Sequence, residues 1–341
     1  MLMQNVSMNY EGENVAGIRE VATTAGVSMS TVSHVMSGKR HVAPATRARV
    51  EDAIARLGYT ANPAAAQMRS GRSGAIALVV PTLENPFYPL VAAGMQDILV
   101  PRGLLLTISE SNGPGGQDVL RHLIARRVDA LVAAPFGLNN KLLGELREAK
   151  IPFVTLGRVS AAGGDLVHTD DVEGAREITT HLIERGYKKI AFIGGEKEAG
   201  TTRERFEGYA RAFGSAGRPL VDDDIVFSQF TRAGGRTGAA LLLDRESRPD
   251  AIVAANDLIA IGILDAARER HLSVPGDLAV TGYDDIDAAS LVNPELTTVE
   301  NPAREIGRAC ARLLLERLDG DVTDVTRTVA LSHRLIVRQS S

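Results

Sequence analysis

Val21–Ser37, VATTAGVSMSTVSHVMS, is the stretch from which the fold of this chain can be read. Ala22, Gly26 and Val32 fall at helix-turn-helix spacing. A small residue on the first helix admits the second, a glycine makes the sharp turn, and an apolar residue closes the core. Ser28 stands where the second helix should start, its hydroxyl able to accept from the backbone N–H of Ser30 or Thr31. A helix begun there turns Val32 and Val35 inward and leaves Met29, Ser30, Ser33 and His34 outside. That outer face holds short polar side chains and no carboxylate, which suits a helix laid in a DNA major groove. An αα-hairpin of an ordinary helical domain would share the local pattern.

Outward from this stretch, SGKRHVAPATRARVEDAIARLGY reads as a basic loop and a third helix. Val50, Ile54 and Leu57 form its apolar stripe, Pro44 suits the first turn, Gly58 the end, and Ala43 offers no side-chain cap. Lys39, Arg40 and His41 form a cationic loop able to grip a phosphate or simply to be solvated. Next comes NPAAAQMRS, with Asn62 a good N-cap and Pro63 at the first helical position. It spans only two turns, and isolated helices shorter than ~12 residues are marginal in water. The spacing therefore predicts a linker that is helical only when something packs on it. Residues 1–14 show no periodicity and read as a disordered leader.

From Ala75 the pattern changes to short aliphatic runs alternating with amphipathic helices. Strands are expected at 75–80, 104–109, 130–134 and 153–156, then at 189–193, 252–255 and 278–282. Helical patterns lie between them, among them 117–127, 174–185, 203–213 and 257–270. This is βαβ grammar, hence an α/β fold with parallel sheets and helices on both faces. Two such runs, broken around 157–165, imply two similar lobes. The tail has its own helix at 302–318 and strands at 297–300, 326–331 and 335–338, enough to return and complete the first lobe. The expected division is a leader at 1–14, the helix-turn-helix domain at 15–60, a hinge at 61–73, lobes at 74–158 and 159–290, and the return segment at 291–341.

Ligands of open parallel sheets bind beyond the carboxyl ends of the strands. Those ends carry Asn85-Pro86-Phe87-Tyr88, Asn256-Asp257 and Tyr283-Asp284-Asp285, with Arg205 nearby in the chain order of the second lobe. Alone, Asn256 is a helix cap and Phe87 a core residue; together they fit a site for a polyhydroxylated ligand.

Composition narrows the class. Residues 1–72 hold eight Lys/Arg and five Asp/Glu while the rest hold thirty and thirty-seven, so a mildly basic head precedes an acidic body. Cys310 is the only cysteine, which excludes an internal disulfide and points to an intracellular, cytoplasmic protein. The N-terminus lacks the blocks of a signal peptide, and no apolar run approaches a bilayer's span, so no membrane partner is expected. Enzyme signatures fail one by one. The run from Gly195 to Thr202 has phosphate-loop spacing without its Lys, and Gly113-Pro-Gly-Gly lacks the third glycine of a dinucleotide fingerprint. No G-x-S-x-G or H-E-x-x-H occurs, the seven His are scattered, and Asp284-Asp285 are adjacent loop residues that do not converge on one atom. No catalytic residue, metal or cofactor is expected.

Taken together, VATTAGVSMSTVSHVMSG, TRARVEDAIARLGYTANPAAAQMRSG, IALVVPTLENPFY, RFEGYARAF, AANDLIAIG, VTGYDDI, NPELTTVENPAREIG and LIVRQSS resemble the LacI/GalR family of bacterial transcription regulators, from Ile18 to Arg338. The resemblance implies a helix-turn-helix head joined by a hinge to a two-lobed, periplasmic-binding-protein-like body. It implies that Met29, Ser30 and His34 read bases, that Thr31 and Ser33 touch phosphates, and that Ser28, Lys39 and Arg40 belong to the same DNA-binding surface. It places Asn62, Ala65 and Met68 in a linker helix that enters the minor groove as a pair. Met68 stands where the family usually wedges a Leu into the central base step, and Ala61 where a Pro is common. In the body, Phe87, Tyr88, Asp170, Arg205, Asn256 and Asp284 match effector-contacting positions. An Arg fork and a carboxylate bind adjacent hydroxyls while an aromatic face covers the C–H side of a sugar. The partners implied are a two-fold symmetric double-stranded operator, a small-molecule effector (a sugar or related carbon source) and a second copy of the chain. The function expected is a repressor whose operator affinity an effector switches, with induction the commoner sign. A catabolite-control regulator with a phosphorylated carrier protein as corepressor is the nearest rival. A secreted solute receptor would need an export signal and no helix-turn-helix.

Overall fold

The computed structural model describes residues 17–37, 40–59, 72–111, 116–134, 140–157, 164–320 and 325–341. The chain divides into two units, Met1–Gly71 and Arg72–Ser341.

The first unit holds α1 (Ile18–Ala25), α2 (Met29–Ser37) and α3 (Pro44–Leu57). At the start of α1 the Gly17 N–H donates to the Glu20 carboxylate at 2.9 Å, occupying one of the donors a helix start leaves free. Gly26 ends α1 in the left-handed region at φ +62°, and the Val27 N–H returns to the Ala22 carbonyl at 3.0 Å. Ser28 caps α2, its hydroxyl accepting from the Thr31 N–H at 3.2 Å. Pro44 opens α3, Ala43 adds no side-chain cap, and Gly58 closes it at φ +59°. Val21, Ala22, Ala25, Val32, Val35, Val50 and Ala53 form the core. It is small and aliphatic, and burying each Val contributes about 1.5 kcal/mol or more.

In the second unit a six-stranded sheet has the order β11-β5-β4-β3-β1-β2. Its strands are β1 (Ala75–Val80), β2 (Leu105–Glu110), β3 (Ala130–Ala133), β4 (Phe153–Leu156), β5 (Asp165–Thr169) and β11 (Thr328–Leu331), all paired in parallel. Alternation along β1 divides the packing. Ile76, Leu78 and Val80 meet α4 (Phe87–Leu99) and α12 (Ala303–Asp319), whereas Ala77 and Val79 meet α5 (Gly116–Ala125) and α6 (Asn140–Glu148). The backbones of α4 and α12 touch: a Cβ on Gly94 would stand 1.9 Å from the Arg304 carbonyl oxygen, and one on Gly307 2.0 Å from that of Val91. A four-stranded parallel sheet follows, ordered β7-β6-β8-β9, from β6 (Ile190–Gly194), β7 (Ile225–Phe227), β8 (Ala251–Ala254) and β9 (Ala279–Thr281). It is covered by α7 (Asp171–Glu184), α8 (Gly200–Ser215), α9 (Arg232–Leu243) and α10 (Asp257–Glu269), with the short α11 (Asp287–Leu291) beyond β9.

Three segments cross between the lobes: from β5 into α7, from β10 (Thr298–Glu300) into α12, and from β11 into β12 (Arg334–Ile336). Two departures from the sequence reading concern them. Residues 165–169, expected beyond the first lobe's boundary at 158, pair with β4 as a further strand of the first sheet. The return segment divides as well. Its α12 and β11 join the first lobe, but β10 and β12 pair with each other, and Thr297, just before β10, and Glu300 within it bridge to Thr281 and Asp284 beside the second sheet. The expected linker residues Asn62, Ala65 and Met68, and Lys39 of the basic loop, lie outside the described residues.

Candidate functional site

On the head, Met29 is 46% exposed and Ser30 is exposed beside it, while Ser33 and His34 are half-buried on the same helix. Thr31 is also half-buried and shares a hydrogen bond with Ser28 (2.9 Å between hydroxyl oxygens), so both hydroxyls serve the start of α2. Arg40 is exposed beyond its C-terminus. Beside Met29 the face carries short polar side chains and the His34 imidazole, and it is free of carboxylates, as its sequence reads.

In the body the carboxyl ends of both sheets open onto one cleft of about 290 Å³. The first lobe contributes Thr82, Glu84, Asn85, Phe87 and Tyr88 after β1 and His168-Thr169 at the end of β5; the second contributes Glu196, Gln229-Phe230, Asn256 and Asp284. Asn85 is buried, and its side-chain oxygen accepts from the Phe87 N–H at 3.0 Å, fixing the first turn of α4. That turn sets the Phe87 and Tyr88 rings edge to face, 5.4 Å apart. Burial, with the Asp284 charge adding, pushes the Tyr88 phenol above its ordinary range, so it stays a neutral donor.

Arg205, on the second turn of α8, is the centre of the cleft floor. Its Nε donates to Asp171 Oδ1 at 2.7 Å, one terminal nitrogen to the Ala255 carbonyl at 2.5 Å, and the other to Asp284 Oδ1 at 3.2 Å. The guanidinium lies 3.7 Å from the centre of the Tyr283 ring. Burial alone would depress its pKa; Asp171 and Asp284 outweigh burial and hold it charged. The same burial raises the Asp284 carboxyl above the usual carboxylate range, against the pull of Arg205 and Asn301. Asp284 sits at φ +107°, a region an L-residue enters at a cost of ~1–3 kcal/mol. Flanking backbone bonds hold it there, from its own N–H to Val299 and from the Asn301 N–H to its carbonyl.

Asn256 caps a helix and also lines the cleft. Its side-chain oxygen caps α10 by accepting from the Ile259 N–H at 2.9 Å, which leaves the amide nitrogen as its donor toward the cleft. Asp170 departs from expectation: it caps α7, accepting from the Glu173 N–H at 3.1 Å, and does not line the cleft. The carboxylate on Arg205 is that of its neighbour Asp171, one residue along, because the first turn of α7 rotates Asp171 inward. Sequence reasoning also missed Asn301, Glu196, Gln229, Phe230 and His168. Asn301 links the lobes' elements, accepting from Thr169 Oγ1 at 3.2 Å and donating to Asp284 at 3.3 Å. Its only sequence signal was its place just before Pro302, where a strand gives way to a helix.

Residues 17–62 match the family model for bacterial regulatory proteins of the lacI family, and residues 179–341 that for a periplasmic binding protein-like domain. The HTH-type transcriptional regulator CelR of Thermobifida fusca is 35% identical over 329 residues, which is 94% of this chain and 96% of the relative. The chain belongs to the lacI family of bacterial regulatory proteins. Among solved structures of this lacI family, a CelR–cellobiose complex is 32% identical and covers 96% of this chain and 100% of its own, with a TM-score of 0.74. The lac repressor dimer bound to operator and the anti-inducer ONPF is 25% identical and covers 95% and 98%, with a TM-score of 0.85. The chain is thus a DNA-binding regulator of lacI type, and no helix among its described residues is long and apolar enough to cross a membrane.

Proposed function

We propose that this lacI-family regulator is a repressor whose operator affinity is switched by an uncharged sugar bound between the lobes of its body. The buried Asp171–Arg205–Asp284 cluster on the cleft floor carries this reading. Its fixed donors and acceptors match adjacent hydroxyls, and Phe87, Tyr88 and Phe230 offer aromatic faces for the apolar side of a pyranose or furanose ring. The lining residues come from both lobes, so a ligand that touches both favours the closed arrangement by its differential contacts. Cellobiose in the CelR complex makes a β-linked glucose disaccharide a first candidate.

On the head, Met29, Ser30 and His34 are the proposed base readers, with Thr31, Ser33 and Arg40 toward phosphates. The operator-bound lac repressor is a dimer, and this chain is proposed to act as one. Its edge strand β2 and the turn before it leave Val100, Leu105 and Ile108 exposed, at 63, 72 and 39%.

A thermal-shift screen of neutral sugars, starting with cellobiose, tests the cleft. Any sugar that raises the melting temperature is then titrated against the full-length protein on an operator selected from random duplexes. The expected result is a melting shift together with a change in operator Kd. Operator binding that no sugar alters would overturn the sugar-switched reading and favour a protein corepressor.

A further inference from the structure

The strands of the first sheet join two ends of the body. At their carboxyl ends, β1 runs into Pro81 and Thr82, and β3 into Ala134, all lining the cleft. At their amino ends, β1 is preceded by Ser73-Gly74 and β3 by Asp129. There one carboxylate takes three hydrogen bonds. Asp129 Oδ1 accepts from the Ser73 N–H at 2.6 Å and the Ser73 hydroxyl at 3.0 Å, and Oδ2 accepts from the Gly74 N–H at 2.8 Å. The backbone around it is stitched on both sides, from the Leu105 N–H to the Gly74 carbonyl and from the Asp129 N–H to the Ala75 carbonyl, each at 2.9 Å. Gly74 adopts φ +71°, a turn only glycine makes without strain. Just before it, the Arg72 guanidinium donates to the Leu318 carbonyl in the last turn of α12.

We propose that Asp129 is a positioning residue that clamps the root of the hinge to the sheet carrying the cleft, so that movement of the lobe is passed to the head and not lost in a slack joint. This rests on the sugar-switched reading above only for its effector arm. A tether fixed in position and direction confines the head it carries, and confinement raises the effective concentration of that head at its half-site. A tether free at Ser73 loses that advantage. Asp129, Ser73 and Gly74 are not among the residues lining the cleft, so loss of the clamp changes coupling without changing the cleft's contact set.

The test uses the full chain, with Asp129→Ala removing all three bonds, Asp129→Asn retaining a smaller set, and Ser73→Ala removing the two bonds of the hydroxyl, to Asp129 and from the Ala75 N–H, while leaving both amide bonds to Asp129. Asp118→Ala, at an exposed position on α5, is the control. Hydrogen exchange at the Ser73 and Gly74 amides should accelerate in Asp129→Ala. Operator affinity measured well below the melting temperature should fall about tenfold, with Ser73→Ala intermediate. The slope of affinity against salt should stay that of the wild type, because the phosphate contacts are untouched. The sugar affinity should be unchanged while the sugar's effect on operator Kd shrinks. Faster exchange with operator affinity within about twofold of wild type would overturn the clamp, and so would unchanged exchange. If the wild type itself ignores cellobiose and every other sugar tried, the effector reading fails, and the affinity and exchange arms still decide the clamp.

Discussion

Arg205 makes three hydrogen bonds to groups from α7, the end of β8 and the loop after β9, so a single side chain orders the floor of the cleft. Arg205→Lys keeps the charge but not the fork, and should weaken sugar binding at least about tenfold with operator binding retained, as read by calorimetry and gel shift. The two neighbouring carboxylates separate cleanly. Asp171→Asn should blunt the sugar response, whereas Asp170→Asn, which leaves a competent cap, should leave it intact. Asp165 bears on stability. Burial would raise its carboxyl, but hydrogen bonds from Arg317 and Arg327 outweigh that and hold it below the ordinary range. Its contribution is therefore present above the ordinary carboxylate pKa and is lost as the pH falls through the lowered value. Asp165→Asn should cost about 3 kcal/mol near neutral pH, and urea titrations should show that difference shrinking as acid protonates the wild type. Residue identities explain what sequence could reach here. Asp284 was legible because its type suits a hydroxylated ligand and it follows a strand, and Arg205 from its type and the family resemblance, whereas the choice between Asp170 and Asp171 depends on which one rotates inward.

At the scale of elements, α2 joins a structural requirement to a reading one. Ser28→Ala removes the cap and should cost the head about 1 kcal/mol, lowering affinity for every duplex alike. His34→Ala should instead relax preference at one base pair by about 1–3 kcal/mol, which a panel of single-substituted operators distinguishes. The helices and the aliphatic strands were readable because period and burial coincide: β1 and β4 match their expected spans, and α1 to α3 follow from Gly26, Ser28, Pro44 and Gly58. β5 was not readable. Its DLVHT carries an acid, an imidazole and a hydroxyl into the interior; His168 meets the neighbouring Thr169 carbonyl, but Asp165 and Thr169 are satisfied from a distance, Asp165 by α12 and the residue before β11, and Thr169 by Asn301. Such partners lie up to 162 residues away, and no local pattern announces them.

For the whole molecule, the proposed pairing of two chains makes a prediction of its own. Leu105→Glu places a charge on the exposed edge of the first sheet. It should shift the sedimenting species toward the monomer and weaken operator binding together, while the melting temperature of the body stays near that of the wild type. A dimer undisturbed by this change would locate the contact elsewhere. The joint at Asp129 has a consequence of a different kind. Among the described residues it grips two main-chain amides and one serine hydroxyl. A foreign reading head grafted ahead of Ser73 would be held by the same bonds, so chimeras that exchange promoters for sensors should inherit their control intact at this seam.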